Sequence, residues 1–246
     1  MPRAQVLAAP LLLAPVLLLP AAAPALDVTS YDNGQVQNDG VSSATNTNIM
    51  TGRNGSVERR SYFLFDLGGI SGTVTGASLS FAAGSAAAPD TGLYWSFDSS
   101  EILTAFQVDT APDTLETAPG SVAIFNDLGS GEVYGSGATG SGYNTDMNAF
   151  SFALNGTALA DIEAALGGEF ALGGALTDLS GQAFESIFAS SAGAGLATLS
   201  LTVEASVVPL PAAAPLMAAG LGALGLTARR RRRRAGAAAQ EGPRTT

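Results

Sequence analysis

The sequence predicts an all-β domain, a β-sandwich or jelly roll with one short helix, set between an N-terminal signal peptide and a C-terminal transmembrane helix. Three observations predict it. Apolar residues alternate with period two in several short runs, the signature of half-buried strands. Pairs such as Asn33-Gly34, Asp39-Gly40 and Asn54-Gly55 mark turns between such runs. Cysteine is absent, so the fold must rest on a packed core rather than on a disulfide framework.

Taken in order, residues 1–25 read as the signal peptide. Arg3 forms a basic start, Val6 to Leu19 is apolar, and Pro20 breaks the run. Ala23-Pro24-Ala25 supplies the small residues that signal peptidase needs, which places cleavage between Ala25 and Leu26.

The body, residues 26–206, carries the strands. From Ser61 to Leu67, Phe63, Phe65 and Leu67 point one way and Tyr62, Leu64 and Asp66 the other. From Thr73 to Phe81, Ala77, Leu79 and Phe81 share a face. Further β-like runs are Leu93 to Phe97, Ser121 to Phe125, Ala149 to Leu154 and Thr198 to Ala205. Gly129 to Gly142 reads as a mobile glycine-rich loop. Asn155 or Thr157 can cap a helix with Leu159, Ile162 and Leu166 as its apolar stripe, ended by Gly167-Gly168.

Residues 207–228 are uncharged and almost wholly apolar. At a rise of about 1.5 Å per residue they span roughly 33 Å, enough to cross a bilayer core. Arg229, Arg230, Arg231, Arg232, Arg233 and Arg234 follow directly. Guanidinium groups enter hydrocarbon only at high energy, so this run acts as a stop-transfer signal and keeps the tail, 229–246, in the cytoplasm. The body then lies outside the membrane. Gly220 to Gly225 matches a dinucleotide-binding fingerprint literally, but no strand precedes it and no βαβ unit surrounds it.

Val208-Pro209-Leu210-Pro211-Ala212, an Ala/Leu/Gly helix and an arginine cluster, in that order, resemble the VPLPA branch of the PEP-CTERM sorting signals. The resemblance implies recognition by an exosortase-type intramembrane protease that cuts near the proline motif. The residues agree with it on physical grounds, because Pro209, Pro211 and Pro215 cannot complete helical hydrogen bonds and leave the outer end of the span open to a protease. The body also resembles a jelly-roll surface ectodomain found with such signals. The matching stretches are Arg60 to Leu67, Gly72 to Ala77, Ile124 to Gly131 and Leu166 to Gly174.

Composition excludes whole chemistries. The body has three arginines (Arg53, Arg59, Arg60) against twenty carboxylates, a net charge of −17, and repels phosphate backbones, so nucleic acid is not an expected partner. Without histidine, cysteine or lysine there is no serine–histidine triad, no thiolate nucleophile and no Schiff base. Zinc loses its preferred ligands. Carboxylate chemistry remains. Asp98, Glu101, Glu163 and Glu169 are the glycosidase candidates, with no local motif to mark any of them, and a solvated acidic surface is the expectation. Asp32-Asn33-Gly34 and Asn38-Asp39-Gly40 offer oxygen ligands to calcium, yet they lack an EF-hand pattern and read as turns. No resident cofactor or metal is expected, with calcium the one cation left open. Tyr94 and Trp95 are adjacent, so on a strand one enters the core and the other meets solvent, where it could stack on a sugar ring. Asp66 is expected to pair with Arg59 or Arg60. The expected function is a non-enzymatic structural or binding module at the cell surface or in the extracellular matrix. Carbohydrate binding is the first alternative, and a carboxylate-dependent polysaccharide-active enzyme the second.

Overall fold

The computed structural model describes residues 25–42, 49–83, 93–117, 119–188 and 197–204, with Leu221, Leu224, Gly225 and Arg229. Along the body the elements begin with β1 (Ala25–Thr29), β2 (Asp32–Gln37), β3 (Thr51–Asn54), β4 (Val57–Asp66) and β5 (Thr73–Phe81). β6 (Leu93–Ser96) and β7 (Glu101–Phe106) precede two short helices, α1 (Pro112–Glu116) and α2 (Val122–Asp127). Next come β8 (Val133–Thr139), β9 (Thr145–Asp146), β10 (Phe150–Ala153) and α3 (Gly156–Ala164). β11 (Glu169–Leu176), β12 (Phe184–Ile187) and β13 (Ala197–Glu204) close the series.

Among the described residues the strands form two antiparallel sheets. The smaller has the order β1-β13-β5-β10, and the larger β8-β7-β11-β4-β3-β12-β6-β9, with β2 also paired to β4. The all-β expectation therefore holds. Period-two alternation explains how the sheets share a core: Phe63, Phe65, Leu103 and Leu172 from the larger meet Leu79, Phe81, Phe150, Leu199 and Leu201 from the smaller. Aromatic edges and faces interlock there, with Phe63–Phe81 and Phe81–Phe150 centroids 5.3 and 4.8 Å apart.

The other phase of β4 is also buried. Tyr62 and Leu64 join Val36, Leu115, Phe125, Leu128 and Ala171 in a second cluster, so β2, α1 and α2 supply residues that cover the outer face of β4. This explains why Tyr62 to Phe65 is an unbroken apolar run. Phe188, at φ 58°, has a backbone conformation rarely adopted by bulky residues. It is buried and packs against Phe63 and Phe81.

Four expectations are corrected. Ser121 to Phe125 is no strand: the Ser121 side chain accepts a hydrogen bond from Ile124 N at 3.0 Å and starts α2, whose Phe125 docks in the second cluster. The middle half of Gly129 to Gly142, Val133 to Thr139, is strand β8, paired with β7. Its glycines meet a packing demand, since a Cβ at Gly135 or Gly137 would collide with the Ala153 carbonyl or the Phe152 ring. Asn33-Gly34 is no turn but part of β2, where Gly34 lies opposite Tyr62 and its missing side chain makes room for that ring. Asp66 does not pair with either arginine. It accepts a hydrogen bond from Gly68 N at 2.7 Å, while Arg60 pairs with Glu58 at 3.4 Å and lies over the Phe125 ring.

α3 agrees with its sequence signals. Asn155 caps it through Ala158 N at 3.0 Å, Ile162 is buried, and Leu159 and Leu166 pack on the core. The capping candidate Thr157 lies inside the helix instead.

Ala25 and Leu26, the proposed cleavage pair, open β1 and lie opposite Thr202 and Leu201 of β13. Residues 1–24 lie outside the described residues. So do Val208 to Ala212 and Arg230 to Arg234. Residues 206–246 form a separate unit, in which Leu221, Leu224, Gly225 and Arg229 have helical backbone. Among the described residues no helix is long and apolar enough to cross a membrane.

Candidate functional site

Strands β6 and β12 pair in the register Glu185↔Ser96, Ser186↔Trp95 and Ile187↔Tyr94. Residues directly opposite each other share a face, so the pair sorts its side chains into two sets. Tyr94, Ser96, Glu185 and Ile187 point inward and are buried. Trp95 belongs to the opposite set with Ser186, which is fully buried, and with Phe97 and Phe184 next along the ladder, where Phe97 N donates to the Phe184 carbonyl at 3.2 Å.

The rest of that set is aromatic. Trp95 stacks on Phe184 with centroids 5.8 Å apart, and Phe97 stacks on Tyr143 at 4.4 Å. Trp95 Nε1 donates to the Tyr143 hydroxyl at 2.7 Å, which fixes both ring planes. Tyr143 is held from behind. Thr145 and Asp146 pair with β6, and Asn144, at φ 57°, donates its N–H to the Tyr94 carbonyl at 2.9 Å. Phe97 is 53% exposed and Tyr143 41%, high values for large apolar side chains in ordered turns. As expected, Tyr94 and Trp95 divide between core and surface: Tyr94 is fully buried and donates to the Asp98 carbonyl at 2.7 Å, whereas Trp95 is half-buried.

On the inward side Glu185 meets two further carboxylates. Asp98, Glu101 and Glu185 bring carboxylate oxygens within 4.8 Å of one another. Glu101 and Glu185 are both fully buried. Glu101 Oε1 accepts from Ser96 Oγ at 2.5 Å, but Oε2 is enclosed and meets no donor N–H or O–H group among the described residues. Glu185 accepts from the backbone N–H groups of Ser180 and Gly181, and Arg53 Nη1 lies 3.8 Å from its Oε2. Gly181 adopts φ +96°, a conformation suited to glycine, as its N–H reaches that carboxylate. Asp98 is half-buried and accepts from Ser180 Oγ at 2.9 Å and Gln182 Nε2 at 2.7 Å. Burial pushes the Glu101 carboxyl well above the usual range; the Ser96 hydrogen bond opposes the shift, while the charge of Asp178, a side-chain hydrogen bond with that same carboxyl, and the charge of Glu185 reinforce it.

Of the four glycosidase candidates, the fold unites Asp98 and Glu101 and separates the rest. Glu163 accepts a hydrogen bond from Val74 N at 2.9 Å and ties α3 to β5. Glu169 lies at the exposed start of β11, on the rim of a cleft of about 260 Å³ that also holds Tyr134 and Asp161. There the Asp161 Oδ2 accepts from the Tyr134 hydroxyl at 2.5 Å. Burial, with Asp161 as hydrogen-bond partner, drives that phenol above its ordinary range. The two calcium candidates also resolve into structure: Asp32 and Asn33 lie in β2, and Asp39 Oδ1 accepts from Val41 N at 3.0 Å in a tight turn.

Glu185, Phe184, Phe97 and Tyr143 went unremarked in the sequence. Glu185 is one acidic residue among twenty in the body, and its partners are 84 and 87 positions upstream. The one available signal was phase: on a strand, Phe184 and Ile187 require opposite faces, which leaves Glu185 inward with Ile187.

The fold and site define an antiparallel β domain with an exposed aromatic platform on one side of a strand pair and an enclosed carboxylate cluster on the other. No protein-family model matches the chain, and no curated protein matches its sequence.

Proposed function

We propose that this chain is an exported cell-surface or matrix protein whose body is a sandwich of the jelly-roll kind that binds extracellular polysaccharide through Trp95, Phe97, Tyr143 and Phe184. The observation that carries the reading is the solvent-facing aromatic cluster. Sugar rings present apolar C–H faces, and an orienting Trp–Tyr hydrogen bond keeps the π-surfaces preformed, which lowers the ordering entropy of binding. A body charge of −17 disfavours acidic polymers, so the reading specifies a neutral polysaccharide. A binding role also suits the carboxylates better than hydrolysis does, because two of the three clustered groups are enclosed and cannot reach a glycosidic oxygen.

Delivery follows the sorting reading: signal peptidase cuts after Ala25, the span at 207–228 holds the precursor in the membrane, and an exosortase-type protease acts near Pro209 and Pro211. The surface form should then lack about 35 C-terminal residues, a loss that intact-mass measurement checks. An intact C-terminus through Thr246 would remove the sorting proposal and leave the binding proposal standing.

Trp95 is the only tryptophan, so intrinsic fluorescence reports directly on the platform. Neutral polysaccharide should change that emission saturably, and Phe97→Ala should weaken binding about tenfold, roughly 1.4 kcal/mol. An emission unaffected by neutral and acidic polysaccharides alike would overturn the reading.

A further inference from the structure

In the Asp98–Glu101–Glu185 cluster Glu101 and Glu185 are enclosed and Asp98 is half-buried, and none of the three contacts sugar in the carbohydrate reading. Its donors are all oxygens, held on three separate segments: the turn after β6, the start of β7, and β12. Asp178 adds its charge close to Glu101, lies within side-chain hydrogen-bond reach of it when one of the two carries a proton, and accepts from Ile102 N at 2.9 Å. Arg53 is the one basic side chain paired with the cluster among the described residues, and it reaches only Glu185, at 3.8 Å. The four carboxylates therefore outnumber their positive partner.

Local hydrogen bonding accounts for part of this arrangement and leaves a remainder. Glu185 is satisfied by two backbone N–H groups, and Asp98 by Ser180 and Gln182. Glu101 is not. It is fully buried, one oxygen is held by Ser96, and the other meets no donor among the described residues unless a proton is shared with the neighbouring Asp178 carboxyl. An unpaired buried carboxylate oxygen is strongly unfavourable, and burial and charge repulsion add rather than cancel. A cation bridging the three carboxylates removes both penalties together.

We infer that Asp98, Glu101 and Glu185 form a calcium site that ties the turn after β6 to the start of β7 and to β12. Oxygen-only ligands select a hard cation. Calcium sheds water readily and accepts several carboxylates in irregular geometry, which an enclosed site built on three segments offers. Magnesium keeps its waters and demands near-octahedral order. Half-buried Asp98 is the side from which the ion and its remaining waters enter.

The test uses the full-length protein in detergent, stripped with chelator, without polysaccharide. Calcium chloride at saturating concentration should raise the unfolding midpoint by about 5 °C. Calorimetric titration should show one tight site above the weak binding of an acidic surface. Asp98→Asn, a change at a half-exposed position, and Glu101→Gln should each reduce the midpoint shift to less than about 1 °C. Asp39→Asn, in the exposed turn that the sequence offered as a calcium ligand, should leave it intact. An unchanged wild-type midpoint, an equal shift in Asp98→Asn, or an equal response to magnesium would overturn the assignment. Polysaccharide is absent throughout, so failure here leaves the platform reading untouched, and failure of that reading leaves this site untouched.

Discussion

Strand β4 and the β6–β12 pair belong to one sheet, yet their faces are filled on opposite principles. β4 is apolar on both sides: Phe63 and Phe65 face the inter-sheet core, while Tyr62 and Leu64 meet the cover to which β2, α1 and α2 contribute. Around the β6–β12 pair the pattern is partly inverted: Glu185 on β12 and Glu101 at the start of β7 are fully buried, Trp95 and Phe184 are half-buried, and Phe97 and Tyr143 beside them are exposed. Burial of apolar area stabilises the first arrangement at roughly 25 cal/mol per Å². The second works against that gradient twice. Stability therefore explains the centre of this sheet and does not explain its end, and the exception coincides with a preformed platform and a charge-rich pocket. An inversion of this kind is where function is worth seeking.

The largest expected effect tests the stable side of the comparison. Phe63→Ala should destabilise the domain by about 3–5 kcal/mol in denaturant unfolding, because its ring packs between Phe81 and Phe188 with no room to collapse. A loss below 1 kcal/mol would show that the aromatic core does not carry the fold.

On the inverted side, Glu101→Gln in chelator should stabilise by about 1 kcal/mol. The amide keeps the oxygen that meets Ser96, adds a donor toward the neighbouring carboxylates, and removes a buried like charge. With calcium the sign should reverse. Destabilisation of the same size in both buffers would mean that the cluster is held by ordinary hydrogen bonding.

Phe97→Ala sharpens the contrast further. It is expected to change stability by less than about 0.5 kcal/mol while weakening polysaccharide binding. Equal losses of stability and affinity would make the aromatic patch a small core instead. The smallest effect belongs to Asp66→Asn. Among the described residues its side chain is hydrogen-bonded to the Gly68 N–H, an acceptor role that asparagine preserves, so the unfolding free energy should stay within about 0.5 kcal/mol. A larger loss would restore the ion pair that the fold does not show.

Local information determined a good deal of this protein. The alternation in Ser61 to Leu67 and Thr73 to Phe81, the Asn155 cap and the split of Tyr94 from Trp95 all follow from side-chain period and short-range hydrogen bonding, which the chain carries wherever it is placed. The same local rules failed at Ser121 to Phe125, because a capping serine and a docking site for Phe125 outweighed the strand-like residues. They failed again in Gly129 to Gly142, where glycines that suggest a loop are required by the approach of Phe152 and Ala153 to β8. Only the tertiary structure could join Asp98 and Glu101 to Glu185, or Trp95 and Phe97 to Tyr143 and Phe184. Those meetings depend on which strands pair and in what register, a choice made by the burial of the whole core, and a one-residue slip would send every member of the site to the other face.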